Sequence, residues 1–115
     1  MLAKHFVFQP MKELAFFREY LNTHGFKILK DFVFCDKDKF YHLITAKIGK
    51  QKLIKSQIYF GKNIECSVDY FLWLNKKQEK LNKILCGLPS QNEKIKKIKS
   101  CLKMIERIKS KGEKQ

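Results

Sequence analysis

Residues 5–48, HFVFQPMKELAFFREYLNTHGFKILKDFVFCDKDKFYHLITAKI, read as one packed unit to which the rest of the chain is attached. The unit opens on a short apolar run, Phe6-Val7-Phe8, stopped by Pro10, whose fixed φ and missing N–H suit a strand end or a first helical turn. Leu14, Phe17 and Leu21 then recur at three- and four-residue steps, with Ala15 and Phe16 widening the stripe, and predict a helix over 11–24 that Gly25 stops. Two runs rich in Phe, Val, Ile, Leu and Tyr follow, 26–35 and 39–47, and the polar Asp36-Lys37-Asp38 between them predicts a hairpin.

A strand-helix-strand crossover is right-handed and leaves its two strands parallel in one sheet. The 6–9 and 26–35 strands are therefore expected to run parallel, with the 39–47 strand antiparallel between them. Such a sheet is unfinished, because the far edge of the Phe6 strand has no partner and its free N–H and C=O groups invite another strand.

With 115 residues, 44% of them apolar and 13% aromatic, the chain can bury one modest core and carry an appendage. The formal charge of +14, from 25 Lys and Arg against 11 Asp and Glu, points to a polyanionic partner, with nucleic acid foremost. Arg18 and Arg107 are the only arginines. Lysine is a point charge towards phosphate and lacks the planar fork that reads guanine, so backbone and shape recognition is expected rather than base reading. An abundance of solvated lysine is the plainer explanation for any single one of them.

No stretch approaches the roughly 20 apolar residues that cross a bilayer, and the N-terminus has neither the apolar run nor the cleavage pattern of a secretory signal. A cytoplasmic protein with no membrane partner is expected. Cys35, Cys66, Cys86 and Cys101 lack C-x-x-C or zinc-ligand spacing and read as reduced, partly buried thiols. His5, His24 and His42 have no acidic or Cys neighbour at ligand spacing, so no metal site is expected.

Residues 49–66 read as a connector whose apolar patch is Ile58-Tyr59-Phe60, with Gly61 permitting a tight turn. From Ser67, a plausible N-cap with Asp69 in the first turn behind it, the pattern turns helical. Phe71, Leu74, Leu81, Leu85 and Leu88 keep three-four steps and only Gln78 breaks the stripe. Gly87, Pro89 and Ser90 end that helix; a second is expected from about Gln91, with Ile95, Ile98, Leu102 and Ile105 on its stripe. Two narrow-striped helices with a short joint should fold back as an antiparallel hairpin packed like a short coiled coil. The expected organisation is thus a 1–48 sheet unit, a 49–66 connector, a 67–111 helical hairpin and a disordered 112–115 tail.

The outer faces of that hairpin carry lysine well in excess of Glu79, Glu93 and Glu106. Lys76, Lys80 and Lys83 on the first helix, with Lys94, Lys96, Lys99, Lys103 and Arg107 on the second, are the candidate RNA-binding residues; Lys77, Lys97, Lys109 and Lys111 add to the same basic rod. Tyr20, Tyr41, Tyr59, Tyr70 and Trp73 could stack unpaired bases, although aromatic packing is the commoner use of each, and Trp73 stands nearest the rod. Asp31, Asp36 and Asp38 could be read as paired carboxylates, but a strand-strand turn favours Asp for conformation and solubility. No nucleophile elbow, P-loop or His-rich set is present, so no catalytic residue is expected.

Taken together, these residues resemble a known family, the bacterial S-adenosylmethionine-dependent methyltransferases that methylate N1 of adenine 22 in tRNA. The carriers are FVFQP at 6–10, FFREYLNTHGFKI at 16–28, DFVFCDKDKFYHLITA at 31–46, YFGK at 59–62 and the terminal helix pair. The resemblance is to the C-terminal part of that family. It implies that the 6–10 element closes the fifth strand of a Rossmann-like sheet, that the hairpin supplies the last two strands, and that the helices are a tRNA-binding appendage. The fold expected is α/β: a C-terminal fragment of a Rossmann-like methyltransferase sheet, strand-helix-strand-strand, followed by an antiparallel helical hairpin. Where the family commonly has Phe-Gly-Pro, this chain has Phe60-Gly61-Lys62.

A complete member binds S-adenosylmethionine on the first strands of its sheet, through a Gly-rich turn and an acidic residue for the ribose, as other Rossmann-like sites do. The family's Asp-Ile-Gly and Gly-Met-Gly-Gly elements do not precede Phe6, and the glycines are isolated. The chain is therefore expected to hold no cofactor and to be inactive alone, either as a piece of a longer or split methyltransferase or as a remnant. Its expected partners are tRNA and the missing N-terminal part, or a second copy through the Phe6-Val7-Phe8 edge. The alternative is a small non-catalytic basic module that binds RNA or protein through the helical hairpin.

Overall fold

Phe6 and Phe8 point to one side of the first strand, where Leu21, Ile28 and Ile44 form a buried core, and His5 and Val7 point to the other. In the computed structural model, which describes residues 4–62, 64 and 67–113, the elements are β1 (His5–Phe8), α1 (Leu14–Thr23), β2 (Phe26–Asp36), β3 (Lys39–Ile48), α2 (Lys55–Phe60), α3 (Val68–Gly87) and α4 (Lys94–Glu113). By their contacts they divide into two units, Met1–Tyr70 and Phe71–Gln115.

In the first unit the sheet has the order β1-β3-β2, with β3 antiparallel to both neighbours, so β1 and β2 run in the same direction as the crossover rule requires. Phe6 and Phe8 pair with Ala46 and Ile44, which places all four on the face that α1 covers. Leu21, Ile28 and Ile44 are buried at the centre of that core, with Phe8, Leu14, Phe17, Phe26 and Leu53 packed around them. Edge-to-face contacts, Phe8 to Phe17 at 5.2 Å and Phe6 to Phe26 at 5.6 Å, close it.

The helix α1 starts at Leu14, three positions later than its apolar spacing indicated, because Glu13 sits in the left-handed region (φ 52°) and breaks the helical path. The hairpin turn is tighter than expected. Asp36 still pairs with Lys39, and Lys37 and Asp38 alone make the turn, both with positive φ, the geometry that suits the twist of the strands it joins. The helix α2 was not anticipated: it is capped by Gln57 Oε1 accepting the Ile54 N–H at 3.0 Å and by the Gly61 N–H donating to the Gln57 carbonyl at 2.9 Å, and six residues carry too little periodicity to read.

Gly61 ends α2 at φ 111°, and a Cβ there would lie 2.8 Å from Ile64 Cγ1. Replacing Gly61 by alanine is expected to cost about 1–3 kcal/mol, from backbone strain and this clash together. A urea midpoint equal to the parent's would show that Gly61 and the Ile64 side chain relax freely.

In the second unit α4 begins at Lys94, where Asn92 Oδ1 accepts the Lys94 N–H at 2.9 Å, and not at Gln91, because 90–93 form turns around that cap. Lys109 Nζ donates to Gln78 Oε1 at 2.7 Å. Helices that continued in one direction would hold these residues tens of ångströms apart, so α3 and α4 fold back on each other as an antiparallel hairpin. Residues 114 and 115 of the expected tail lie outside the described residues.

Candidate nucleic-acid interface

The cationic side chains of the hairpin are sorted by the same periodicity that buries its seam. On α4, Ile98 and Ile105 are buried and Ile95, Leu102 and Lys109 half-buried, three- and four-residue steps along one face. Lys96, Lys99, Lys103 and Arg107 repeat those steps along one flank of the helix, roughly a third of a turn from the seam, and all four are exposed. Their stripe extends about 16 Å at 1.5 Å rise per residue. On α3, Lys76, Lys80 and Lys83 form a second exposed stripe, opposite Leu74, Gln78, Leu81 and Leu85. The α3 stripe thus points directly away from the seam, whereas the α4 stripe runs beside it. Lys94 is exposed in the first turn of α4, off the α4 stripe. The candidate residues are thus two separate lines of charge, one on each helix, the α4 line the longer.

Two lysines counted with the rod behave differently. Lys109 turns into the seam and satisfies Gln78, so the residue that interrupts the apolar stripe is half of a polar pair between the helices, a device that fixes register. Lys77 Nζ lies 5.7 Å from the centre of the Trp73 ring. Burial, with the nearby Lys80 charge second, lowers its proton affinity below that of ordinary lysine. Trp73 itself is only 5% exposed and cannot offer a face to a base. Tyr70 is fully buried with its hydroxyl donating to the Phe60 carbonyl at 3.0 Å, and Tyr20 stacks on His24 at 3.9 Å.

The carboxylates do not converge on a reaction centre. Asp36 flanks the hairpin turn and Asp38 lies in it, whereas Asp31 is buried in the middle of β2 against Arg18, 3.1 Å away. Its Oδ1 accepts from Arg18 Nε and Nη2, and its Oδ2 accepts the Lys62 N–H at 2.7 Å. Arg18 Nη1 donates to the Ile58 carbonyl at 2.9 Å. Burial pushes the Asp31 carboxyl above its usual value, outweighing the Arg18 charge and the N–H donors that pull it down. This network ties α1, β2 and the end of α2 together, a structural role. Half of its signal was in the sequence, where Arg18 interrupts the apolar stripe between Leu14 and Leu21; Asp31 shares the inward face with Ile28 only through the register shift between Ile28 and Lys30, which strict alternation does not foresee.

Among the described residues no group of His, Cys, Asp and Glu could hold a metal, and no helix is long and apolar enough to cross a membrane. Cys35, Cys86 and Cys101 are free thiols; Cys66 lies outside the described residues.

The family model for tRNA (adenine(22)-N(1))-methyltransferase, TrmK, matches residues 1–110. No curated protein sequence matches the chain. Among solved structures, a candidate tRNA (m1A22) methyltransferase of Streptococcus pneumoniae is similar at 26% identity and a TM-score of 0.82, over 90% of this chain and 48% of that one. TrmK of M. capricolum, solved with S-adenosyl-homocysteine, shares the fold at 20% identity and a TM-score of 0.75, over 90% and 48% of the two chains. The m1A22 tRNA methyltransferase TrmK of B. subtilis does so at 11% and 0.74, over 91% and 51%. The chain spans about half the length of these structures. With a Rossmann-like methyltransferase fold and a family model matched over nearly its whole length, the chain belongs to the tRNA (adenine(22)-N(1))-methyltransferase family, TrmK.

Proposed function

We propose that this chain is the tRNA-binding and sheet-completing portion of an S-adenosylmethionine-dependent tRNA adenine-N1 methyltransferase of the cytoplasm, with the methyl donor held elsewhere. The observation that carries the reading is the α4 line of Lys96, Lys99, Lys103 and Arg107, exposed along the flank of a buried apolar seam. Point charges in a row suit the phosphates of a folded RNA and do not read bases. The shorter α3 line of Lys76, Lys80 and Lys83, with Lys94 at the hairpin end, adds attraction. The hairpin acts as a short coiled-coil arm, and the sheet unit joins the rest of the methyltransferase sheet.

The residues present do not fit the methyl donor. A Rossmann-like cofactor cradle needs a glycine-rich turn where a strand leads into a helix; the β1-to-α1 turn, Gln9 to Glu13, has no glycine, and the lone Gly49 between β3 and α2 has its open side against the Lys27 side chain. Gly61 lies elsewhere, with its side packed against Ile64 and the Asp31 carboxyl. No catalytic step is therefore assigned to this chain.

Calorimetric titration of the chain with S-adenosylmethionine is expected to give no saturable heat, while the same preparation binds folded tRNA. Stoichiometric uptake of the cofactor would overturn the assignment of the donor site to other residues.

A further inference from the structure

The segment that leaves β3 is anchored by its inward groups. The side-chain amide of Gln51 accepts the Ile28 N–H at 2.8 Å and donates to the Ile28 carbonyl at 3.3 Å, Leu53 packs on the core, and the Gly49 N–H donates to the Gly25 carbonyl at 2.8 Å. Lys50 and Lys52, on either side of Gln51, are exposed, and their Cα atoms stand at most about 7 Å apart along the chain. With the C-terminal end of α1 they form a cleft of about 570 Å³, lined by Asn22, Thr23, Gly25, Lys50, Gln51 and Lys52.

The two walls of this cleft differ in chemistry. One carries two ammonium groups, and among the described residues no Asp or Glu lines the cleft. The other carries acceptors. The end of α1 presents its last carbonyls and the negative end of its dipole, and Asn22 Oδ1 is buried with no hydrogen-bond partner among the described residues, an uncommon state for a buried polar atom. Between the walls Gly25 holds φ 80°, and a Cβ there would meet nothing within 4 Å, so the middle of the cleft is open.

We infer that this cleft is a binding site for a small phosphate monoester that also carries hydroxyl or amine donors, a nucleoside monophosphate being the simplest ligand of that class. Lys50 and Lys52 act as point charges on the phosphate, and the sugar hydroxyls or the base amine donate to Asn22 Oδ1 and the end of α1. Inorganic phosphate satisfies one wall and an uncharged nucleoside the other; a nucleotide satisfies both. A long RNA fits less well, because the negative end of α1 repels the phosphate that follows the first. The volume lies within the roughly 300–1,000 Å³ of small-molecule sites, and the Gln51 clamp fixes the backbone of both lysines before any ligand arrives, which lowers the cost of binding. The inference is independent of the tRNA-binding reading: the cleft lies wholly in the first unit and uses none of the α3 or α4 cations.

The test is calorimetric titration of the full chain with adenosine monophosphate, adenosine and inorganic phosphate. The nucleotide should bind at least about tenfold more tightly than either of the others. Changing Lys50 and Lys52 together to Gln should bring it down to the affinity of adenosine. Asn22→Ala, which removes an oxygen that bonds to nothing among the described residues, should bring it down towards that of phosphate and leave the circular dichroism spectrum unchanged. Changing Lys96, Lys99 and Lys103 to Gln should leave nucleotide binding as in the parent, which separates this inference from the tRNA-binding reading. Nucleotide bound no more tightly than phosphate, nucleotide binding lost with the α4 lysines, or displacement of the nucleotide by folded tRNA would overturn it. The absence of any nucleotide binding would overturn it too, and would make Lys50 and Lys52 only a favourable charge at the end of α1.

Discussion

Replacing Asp31 by leucine should destabilise the chain by about 3–5 kcal/mol, the range for removing one partner from a buried ion pair. A guanidinium cannot shed its charge, and Arg18, 1% exposed, would be left with only the Ile58 carbonyl of its present partners. The Lys62 N–H would lose its acceptor as well. That is a large share of the 5–15 kcal/mol typical of a domain. The converse change, Arg18→Leu, should cost less, because Asp31 can neutralise itself by taking up a proton that burial already favours. In that variant the folded state keeps a proton the unfolded chain has released, so stability should fall as pH rises from the ordinary carboxyl value of 3.8 towards the raised one. The double replacement, which leaves no charge stranded, should be milder than Asp31→Leu alone. Urea denaturation of the three variants checks the order; equal losses for both single changes would mean that the pair is solvated when either partner is missing.

The strand order was legible because it depends on few physical facts: a short apolar run, a helix with one stripe, a two-strand hairpin and the handedness of the crossover. The Ser67 cap was equally plain, and its hydroxyl accepts the Tyr70 N–H at 3.2 Å. What escaped was held by side chains acting at a distance in sequence. Arg18 and Asp31 meet only once α1 lies on the sheet, and α2 is fixed by the contacts at its end rather than by its own pattern. Lys109 looked like one more surface cation until the antiparallel register set it against Gln78. The candidate site was legible as a list of lysines and not as a surface, since residue type cannot tell that the cations sort into separate α3 and α4 lines.

That geometry makes the α4 stripe the place where charge removal should matter most. If the stripe and its neighbours neutralise about four to six phosphates, log K for tRNA should fall against log salt with a slope of roughly −3 to −5. Changing Lys96, Lys99 and Lys103 to Gln should flatten the slope by about 2–3 and weaken binding about a hundredfold at 0.15 M salt, at 0.7–0.9 in slope per contact. The three side chains are exposed, so the circular dichroism spectrum and the Ile98–Ile105 packing should survive. Lys50 and Lys52, exposed in the first unit, provide the control; their change to Gln should leave the slope within about one unit of the parent.

The most direct measurement of the account is therefore the salt dependence of tRNA binding by the parent chain and by the Lys96, Lys99 and Lys103→Gln variant, side by side. A steep slope is expected for the parent, a flattened one for the variant, and displacement of bound tRNA by other folded tRNAs but not by unstructured single strands. Equal affinity and equal slope for the two proteins would contradict it, and would make the lysines a solvating coat on a hairpin that serves protein contacts.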